Sequence, residues 1–157
     1  MPLEIERKFL LSTDSWKAAA TTGIELAQAY ILQRHGKTVR IRIADEKAFL
    51  TVKGATSGIS RLEFEYAIPI AEAREMLALC EGGLIQKTRH RIEHAGHLWE
   101  IDVFHGDNEG LVVAEIELAH PDEKFESPSW LGAEISNDLR YSNVQLSLNP
   151  FRLWIHP

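Results

Sequence analysis

Pairs of like charges two residues apart recur along this chain, and they limit what it can fold into more than any other feature. Glu4 and Glu6, Glu63 and Glu65, Glu100 and Asp102, and Glu115 and Glu117 are acidic pairs; Arg40 with Arg42 and Lys87 with Arg89, extended by Arg91, are basic. Side chains two apart on a β-strand point the same way at a spacing of about 6.5–7 Å. At an effective dielectric near 20, each like pair then repels by roughly 2 kcal/mol. An open sheet would relieve this repulsion in water but would leave edge strands to protect. Eight strands closed into a barrel have no edges, and closure gathers one face of every strand into a lumen. Such a lumen collects carboxylates suited to hard divalent cations and cationic side chains suited to phosphate oxygens.

The alternation that supports this reading runs along most of the chain. In residues 3–11, Leu3, Ile5, Phe9 and Leu11 share one parity with Arg7, while Glu4, Glu6, Lys8 and Leu10 share the other. Further strands are expected at residues 24–33, 37–45, 47–54, 59–68, 84–94, 97–106 and 111–120. Turns at Asp45-Glu46, Ala95-Gly96 and the 106–110 run link them. Helices are predicted over 12–20, where Ser and Asp precede three alanines, and over 69–80, opened by Pro69 and stopped by Gly82 and Gly83. Both are expected outside the sheet, covering its apolar face. The stretch after residue 120 is loop-like, with a short helix predicted from Ser142 to Leu148 and with Trp130 and Trp154 pinning it to the body. The prediction is therefore an α+β, mainly β protein: one domain over 1–157, an eight-stranded antiparallel closed β-barrel with a charged lumen and a few helices packed outside.

With 17 Lys and Arg against 23 Asp and Glu, the formal charge of −6 argues against a broad nucleic-acid surface. Phe64, Tyr66 and Trp99 fall mostly on the apolar parity, which denies a nucleic-acid barrel its stacking platforms. No apolar run approaches the roughly 18 residues of a membrane span, and the charged N-terminus does not read as a secretory signal. The lone Cys80 has no internal disulfide partner and sits in an apolar setting, so a buried thiol and a reducing, cytoplasmic compartment are expected. The expected partner is a small molecule bearing phosphate oxygens, with no nucleic acid and no membrane, and the chain is expected to act as a monomer or homodimer.

Taken in order, the motifs match a family. The N-terminal Glu4-Ile5-Glu6-Arg7-Lys8 resembles the ExExK signature of the CYTH superfamily, the triphosphate tunnel metalloenzymes. The order that follows is similar to theirs as well: Arg40 and Arg42, a strand-end Lys53, Glu63 and Glu65, Lys87 and Arg89, Glu100 and Asp102, then Glu115 and Glu117, with a closing segment at 131–143. The resemblance implies a divalent metal, Mg²⁺ or Mn²⁺, held by Glu4, Glu6 and Glu117, and a second near Asp102, Glu115 and Glu117. It implies triphosphate binding by Lys8, Arg40, Arg42, Lys53, Lys87 and Arg89, with Lys8, Glu115 and Glu117 at the reacting centre. Arg61, Glu63, Glu65, Arg91 and Glu100 are expected to balance charge around them. The compact chain looks most like short bacterial members that hydrolyse inorganic tripolyphosphate. Thiamine and nucleoside triphosphatases remain alternatives, as do the class IV adenylyl cyclases of the same family and a sensor that binds polyphosphate or nucleotide without turnover.

Other features carry less. His94 and His97 have HxxH spacing but flank the Ala95-Gly96 turn and are read as solvated; His35, His90, His105, His120 and His156 follow no ligand spacing. Tyr30 is left either in the lumen or in the core. Gly54 and Gly58 frame a mobile loop that lacks the Gly-Lys-Ser/Thr ending of a P-loop.

Overall fold

The computed structural model describes residues 2–154; Met1 and residues 155–157, His156 among them, lie outside the described residues. Among the described residues nine strands form: β1 (Leu3–Leu11), β2 (Ile24–Arg34), β3 (Lys37–Ala44), β4 (Lys47–Lys53), β5 (Ser60–Ile68), β6 (Glu81–His94), β7 (His97–Phe104), β8 (Val112–Glu117) and β9 (Leu131–Glu134). Helix α1 spans Ile70–Leu77 and α2 spans Asn143–Leu148. The first eight strands close into an antiparallel barrel in the order β5-β4-β3-β2-β6-β7-β8-β1, with β1 returning to β5.

Strand β1 makes the closure. Its first residues pair with β5 through Leu3↔Leu62, Glu4↔Arg61 and Ile5↔Ser60, and its other edge pairs with β8 from Glu6↔Glu117 to Leu10↔Val113. Beyond Ile5 the strand parts from β5, and the vacated edge is taken up by β9 and the residues after it. Phe9 pairs with Glu134, Ile135 N–H donates to Lys8 O at 2.8 Å, and Lys8 N–H donates to Ser136 Oγ at 3.0 Å. This ninth strand was not expected from sequence. Its four residues carry too little alternation to register alone, and a tertiary edge supplies their partners.

The inward parity is not charged throughout. At one end the inward-facing Leu10, Ile85, Phe104 and Val113 form an apolar cluster with Ile135 and with Leu146 of α2, which stops that end of the lumen. Outside, β1, β6, β7 and β8 pack their other parity, Phe9, Ile92, Trp99, Ile101 and Ile116, under Trp16, Phe125 and Trp130. Trp99 is fully buried and meets Phe9, Phe125 and Trp130 edge-on at 5.7, 5.4 and 5.6 Å between centroids. Helix α1 covers Ile41 and Ala48 on the far side.

Several expectations need correction. The helix predicted over 12–20 is only a 3₁₀ turn, Ser15–Ala18, which buries Trp16 and which the side chain of Asp14 does not cap. Helix α1 ends at Leu77, and Gly82 and Gly83 belong to β6. They are glycines because α2 crosses there: a Cβ on Gly82, whose φ is +73°, would stand 3.0 Å from Ser147 O. Cover of the outer face is also incomplete, since Val52, Phe64 and Tyr66 on β4 and β5 remain 38%, 37% and 57% exposed. The predicted C-terminal helix forms as α2, with Ser142 Oγ accepting from Gln145 N–H as its cap. Trp130 holds its segment to Trp99, and Trp154, edge-on to Tyr141 and Phe151, packs with them against the cluster of Ile85, Phe104, Leu111 and Val113, so both pin the tail to the body as expected. No described helix is long and apolar enough to cross a membrane.

Candidate active site

The lumen holds a cavity of about 150 Å³, joined to a wider mouth of about 560 Å³ bounded by the Ala55–Gly58 loop and the segment from Ile135 to Gln145. Strand order separates its walls by sign. Going round the barrel, β3, β2 and β6 are consecutive and contribute Arg40, Arg42, Lys87 and Arg89; β7, β8, β1 and β5 are consecutive and contribute Glu100, Glu115, Glu117, Glu4, Glu6, Glu63 and Glu65. Lys8, Lys53 and Arg61 stand among the acids. The basic wall exists because β2 seats itself between two strands that lie far apart in sequence.

Most of these charges are paired with one another. Lys53 Nζ lies 3.2 Å from both Glu4 Oε1 and Glu63 Oε2, and Arg61 Nε lies 3.3 Å from Glu4 Oε1. Lys8 bridges Glu6 at 3.8 Å and Glu115 at 3.6 Å. Arg40 reaches Glu65 at 3.6 Å, and Arg89 reaches Glu115 at 3.5 Å and Glu100 at 3.4 Å. Asp102, grouped with the metal ligands by resemblance, has no exposed surface and is absent from the cavity wall. It lies beneath Lys87, at 2.8 Å, and takes a bidentate contact from Arg89 at 2.7 and 2.9 Å. Arg91 is at the rim, half-exposed, 3.5 Å from Glu100.

The pairing shapes the protonation of the site. Burial opposes ionisation of Glu4, yet Lys53 and Arg61 hold its carboxyl down to about 2. Glu6 goes the other way: burial and the neighbouring Glu115 push it up to about 8, and Lys8 offsets only part of that. Glu117 is also raised, by burial and then by Glu4 and Glu100, and its carboxylate forms no hydrogen bond or ion pair with any described residue. On the basic wall, burial lowers Lys87 to about 7 against the pull of Asp102, and burial with Arg40 and Arg89 lowers Arg42 to about 10.

The donor set tests whether a divalent cation fits. Glu4, Glu6, Glu115 and Glu117 come from adjacent strands, with Glu6 and Glu117 in register, and two of the four are held above their ordinary range by burial and by neighbouring carboxylates. Oxygen-only carboxylate donors suit Mg²⁺ or Mn²⁺. Among the described residues no three acidic side chains are already drawn into a cage, because Glu4 and Glu115 are turned to Lys53, Arg61, Lys8 and Arg89. The residues fit the cation, which would compete with those internal cations.

Sequence reading missed part of the wall. Thr38 sits on the inward parity of β3 and could have been found there. Tyr30, left open above, lines the cavity from β2 and is 7% exposed. Ser142, Asn143 and Val144 reach it from the start of α2, where Asn143 Oδ1 accepts a 3.0 Å bond from Lys87 Nζ. The closing segment at 131–143 takes in Ser142 and Asn143, but no spacing along it places them in the lumen; the folding back of the tail does. The loop framed by Gly54 and Gly58 is at the mouth. His94 and His97 are register partners across the hairpin, remote from the lumen, and His97 Nε2 lies 2.6 Å from Glu123.

The order of charged strands and the closed tunnel agree with a comparison to known families: the CYTH domain matches residues 2–147. The chain belongs to the CYTH family. It is 47% identical over 153 residues to an Acetivibrio thermocellus protein named inorganic triphosphatase, covering 97% of each chain. A Nitrosomonas europaea protein of the same name is 33% identical over 150 residues, covering 93% of this chain and 97% of that one. Among solved structures, the crystal structure of an inorganic triphosphatase superposes with a TM-score of 0.65 at 30% identity, covering 97% of this chain and 95% of the other. A Hippeastrum protein at 18% identity shares the fold, with a TM-score of 0.61 over 76% of this CYTH chain and 81% of that one.

Proposed function

We propose that this CYTH protein hydrolyses the terminal phosphoanhydride bond of inorganic tripolyphosphate, releasing pyrophosphate and orthophosphate, in a reaction that depends on Mg²⁺ or Mn²⁺. The observation that carries the reading is the two-signed lumen, a basic wall of Arg40, Arg42, Lys87 and Arg89 facing Glu4, Glu6, Glu115 and Glu117. The family and the relatives named inorganic triphosphatase support it.

Glu4, Glu6, Glu115 and Glu117 would hold the cation, which when bound would supply positive charge against the phosphate oxygens. Arg40, Arg42, Lys87 and Arg89 grip the anionic chain, and their fixed donors offset the charge that builds on the leaving pyrophosphate. Lys8, on the same inward parity as Glu4 and Glu6, contacts the terminal phosphate. Water attacks the terminal phosphorus in line while its bond to the bridging oxygen breaks, and the displaced oxygen leaves with pyrophosphate. Lys53 and Arg61 keep Glu4 ionised, and Asp102 braces Lys87 and Arg89 from below.

The test is a phosphate-release screen with tripolyphosphate, pyrophosphate, thiamine triphosphate and ATP, each with Mg²⁺ and with Mn²⁺. Many turnovers per site on tripolyphosphate, lost on chelation, are expected. Cyclic AMP from ATP would replace the hydrolase with a cyclase, and saturable binding without turnover would leave a sensor.

A further inference from the structure

Arg42 is the exception to the pairing in the lumen. Among the described residues, Lys8, Arg40, Lys53, Arg61, Lys87 and Arg89 each have a carboxylate within 4.0 Å. Arg42 has none. Its one side-chain hydrogen bond runs from Nε to Gln28 Oε1, at 2.7 Å. Gln28 is fully buried, is the register partner of Arg42 across β2 and β3, and does not itself line the cavity. Its Nε2 donates to Tyr30 Oη at 3.5 Å, so the amide is oriented from both ends.

Lys87 also meets a neutral amide oxygen, at Asn143, but among the described residues Arg42 is the lumen cation whose neutral acceptor comes without a carboxylate beside it. A carboxylate at this position would orient Arg42 and also neutralise it. A neutral amide oxygen takes the Nε–H and leaves both terminal amino groups, and the full charge, for a ligand. Burying an amide costs free energy unless its groups are bonded, and a buried glutamine with no access to ligand needs a reason to be there. We infer that Gln28 is a positioning residue that aims Arg42 into the tunnel without neutralising it, making Arg42 the principal anchor for a phosphate oxyanion. This rests on the triphosphate reading above and adds a residue that acts only through Arg42.

The test is a double-mutant cycle read by calorimetric binding of tripolyphosphate, beside KM and kcat. Gln28→Glu keeps the acceptor and adds a charge; it is expected to weaken binding and raise KM about tenfold or more, with kcat/KM falling at least as far. Gln28→Met removes the acceptor at similar volume and is expected to weaken binding severalfold, which decides the matter should the glutamate variant not fold. Both effects should vanish in an Arg42→Ala background. Wild-type affinity in both variants, or a loss of the same size with and without Arg42, would overturn the inference. A wild type that binds tripolyphosphate without releasing phosphate would overturn the hydrolase reading alone, since the binding cycle still decides the role of Gln28.

Discussion

Glu6 on β1 and Glu117 on β8 are register partners on antiparallel strands, which holds two carboxylates side by side on the lumen wall, Glu6 half-buried and Glu117 open to solvent. Nothing in the fold compensates the pair fully: Lys8 stands 3.8 Å from Glu6, and Glu117 has no partner among the described residues. The relationship is the sheet counterpart of two like charges placed directly opposite, which destabilises a sheet unless something intervenes.

The first consequence concerns pH. Burial and Glu115 raise Glu6 from 4.5 to about 8. The folded metal-free protein therefore binds more protons than the unfolded chain between those values, and stability falls as pH rises through that window. Glu4, held down to about 2, acts below the window, and Lys87, lowered to about 7, contributes a slope of opposite sign above that value. Between about pH 5 and pH 7 the metal-free melting temperature should fall by several degrees, a change of at most about 2–3 kcal/mol. Glu6→Gln should flatten that slope, as measured by thermal melts with a chelator present.

Replacing Glu117 separates chemistry from stability. The carboxylate has no bonding partner to lose, so Glu117→Gln should change stability by no more than about 1 kcal/mol. Turnover on tripolyphosphate with saturating Mg²⁺ or Mn²⁺ should fall roughly 100-fold or more. The rise in melting temperature on adding the cation should shrink in parallel. Near-normal turnover would remove Glu117 from the metal set.

Asp102 should behave in the opposite way. It has no exposed surface and answers two buried cations, Lys87 at 2.8 Å and Arg89 at 2.7 Å. Removing one partner of such a cluster leaves uncompensated buried charge, so Asp102→Asn should cost about 3 kcal/mol or more in denaturant unfolding. A variant of wild-type stability that no longer responds to the cation would make Asp102 a ligand and not a brace.

Gly82 links the sheet to the closed end of the tunnel. Alanine there must adopt a φ of +73° and meet Ser147 O at 3.0 Å. The substitution should cost about 1–2 kcal/mol in unfolding and displace α2, loosening the bond from Lys87 to Asn143. Raised KM for tripolyphosphate, with the melting temperature lowered by only a few degrees, is the expected result.

Much of this was legible because a strand writes its two faces into alternate positions. Glu4, Glu6 and Lys8 on one parity against Ile5 and Phe9 on the other announced a wall with a charged inside, and the repetition of that pattern on later strands implied enclosure. The same rule placed Arg40, Arg42, Lys87, Arg89, Glu115 and Glu117 on inward parities, and all six line the cavity. What alternation cannot encode is which strands become neighbours. That β2 would sit between β3 and β6, collecting four cations on one wall, is a property of strand order, as is the meeting of Glu6 with Glu117.

Charge type and spacing were therefore set in the amino-acid order, since they depend only on the period of a β-strand. The burial of Asp102 beneath two cations, the fitting of β9 onto the edge left by β5, the arrival of Asn143 from the tail and the neutral partner of Arg42 were decided by tertiary structure. The seating of β9 and the arrival of Asn143 join residues distant along the chain, and such proximity comes from barrel closure; Asp102 with Arg89 and Gln28 with Arg42 are hairpin register partners, and there it is the burial of the pair that packing decides and no local pattern of side chains specifies.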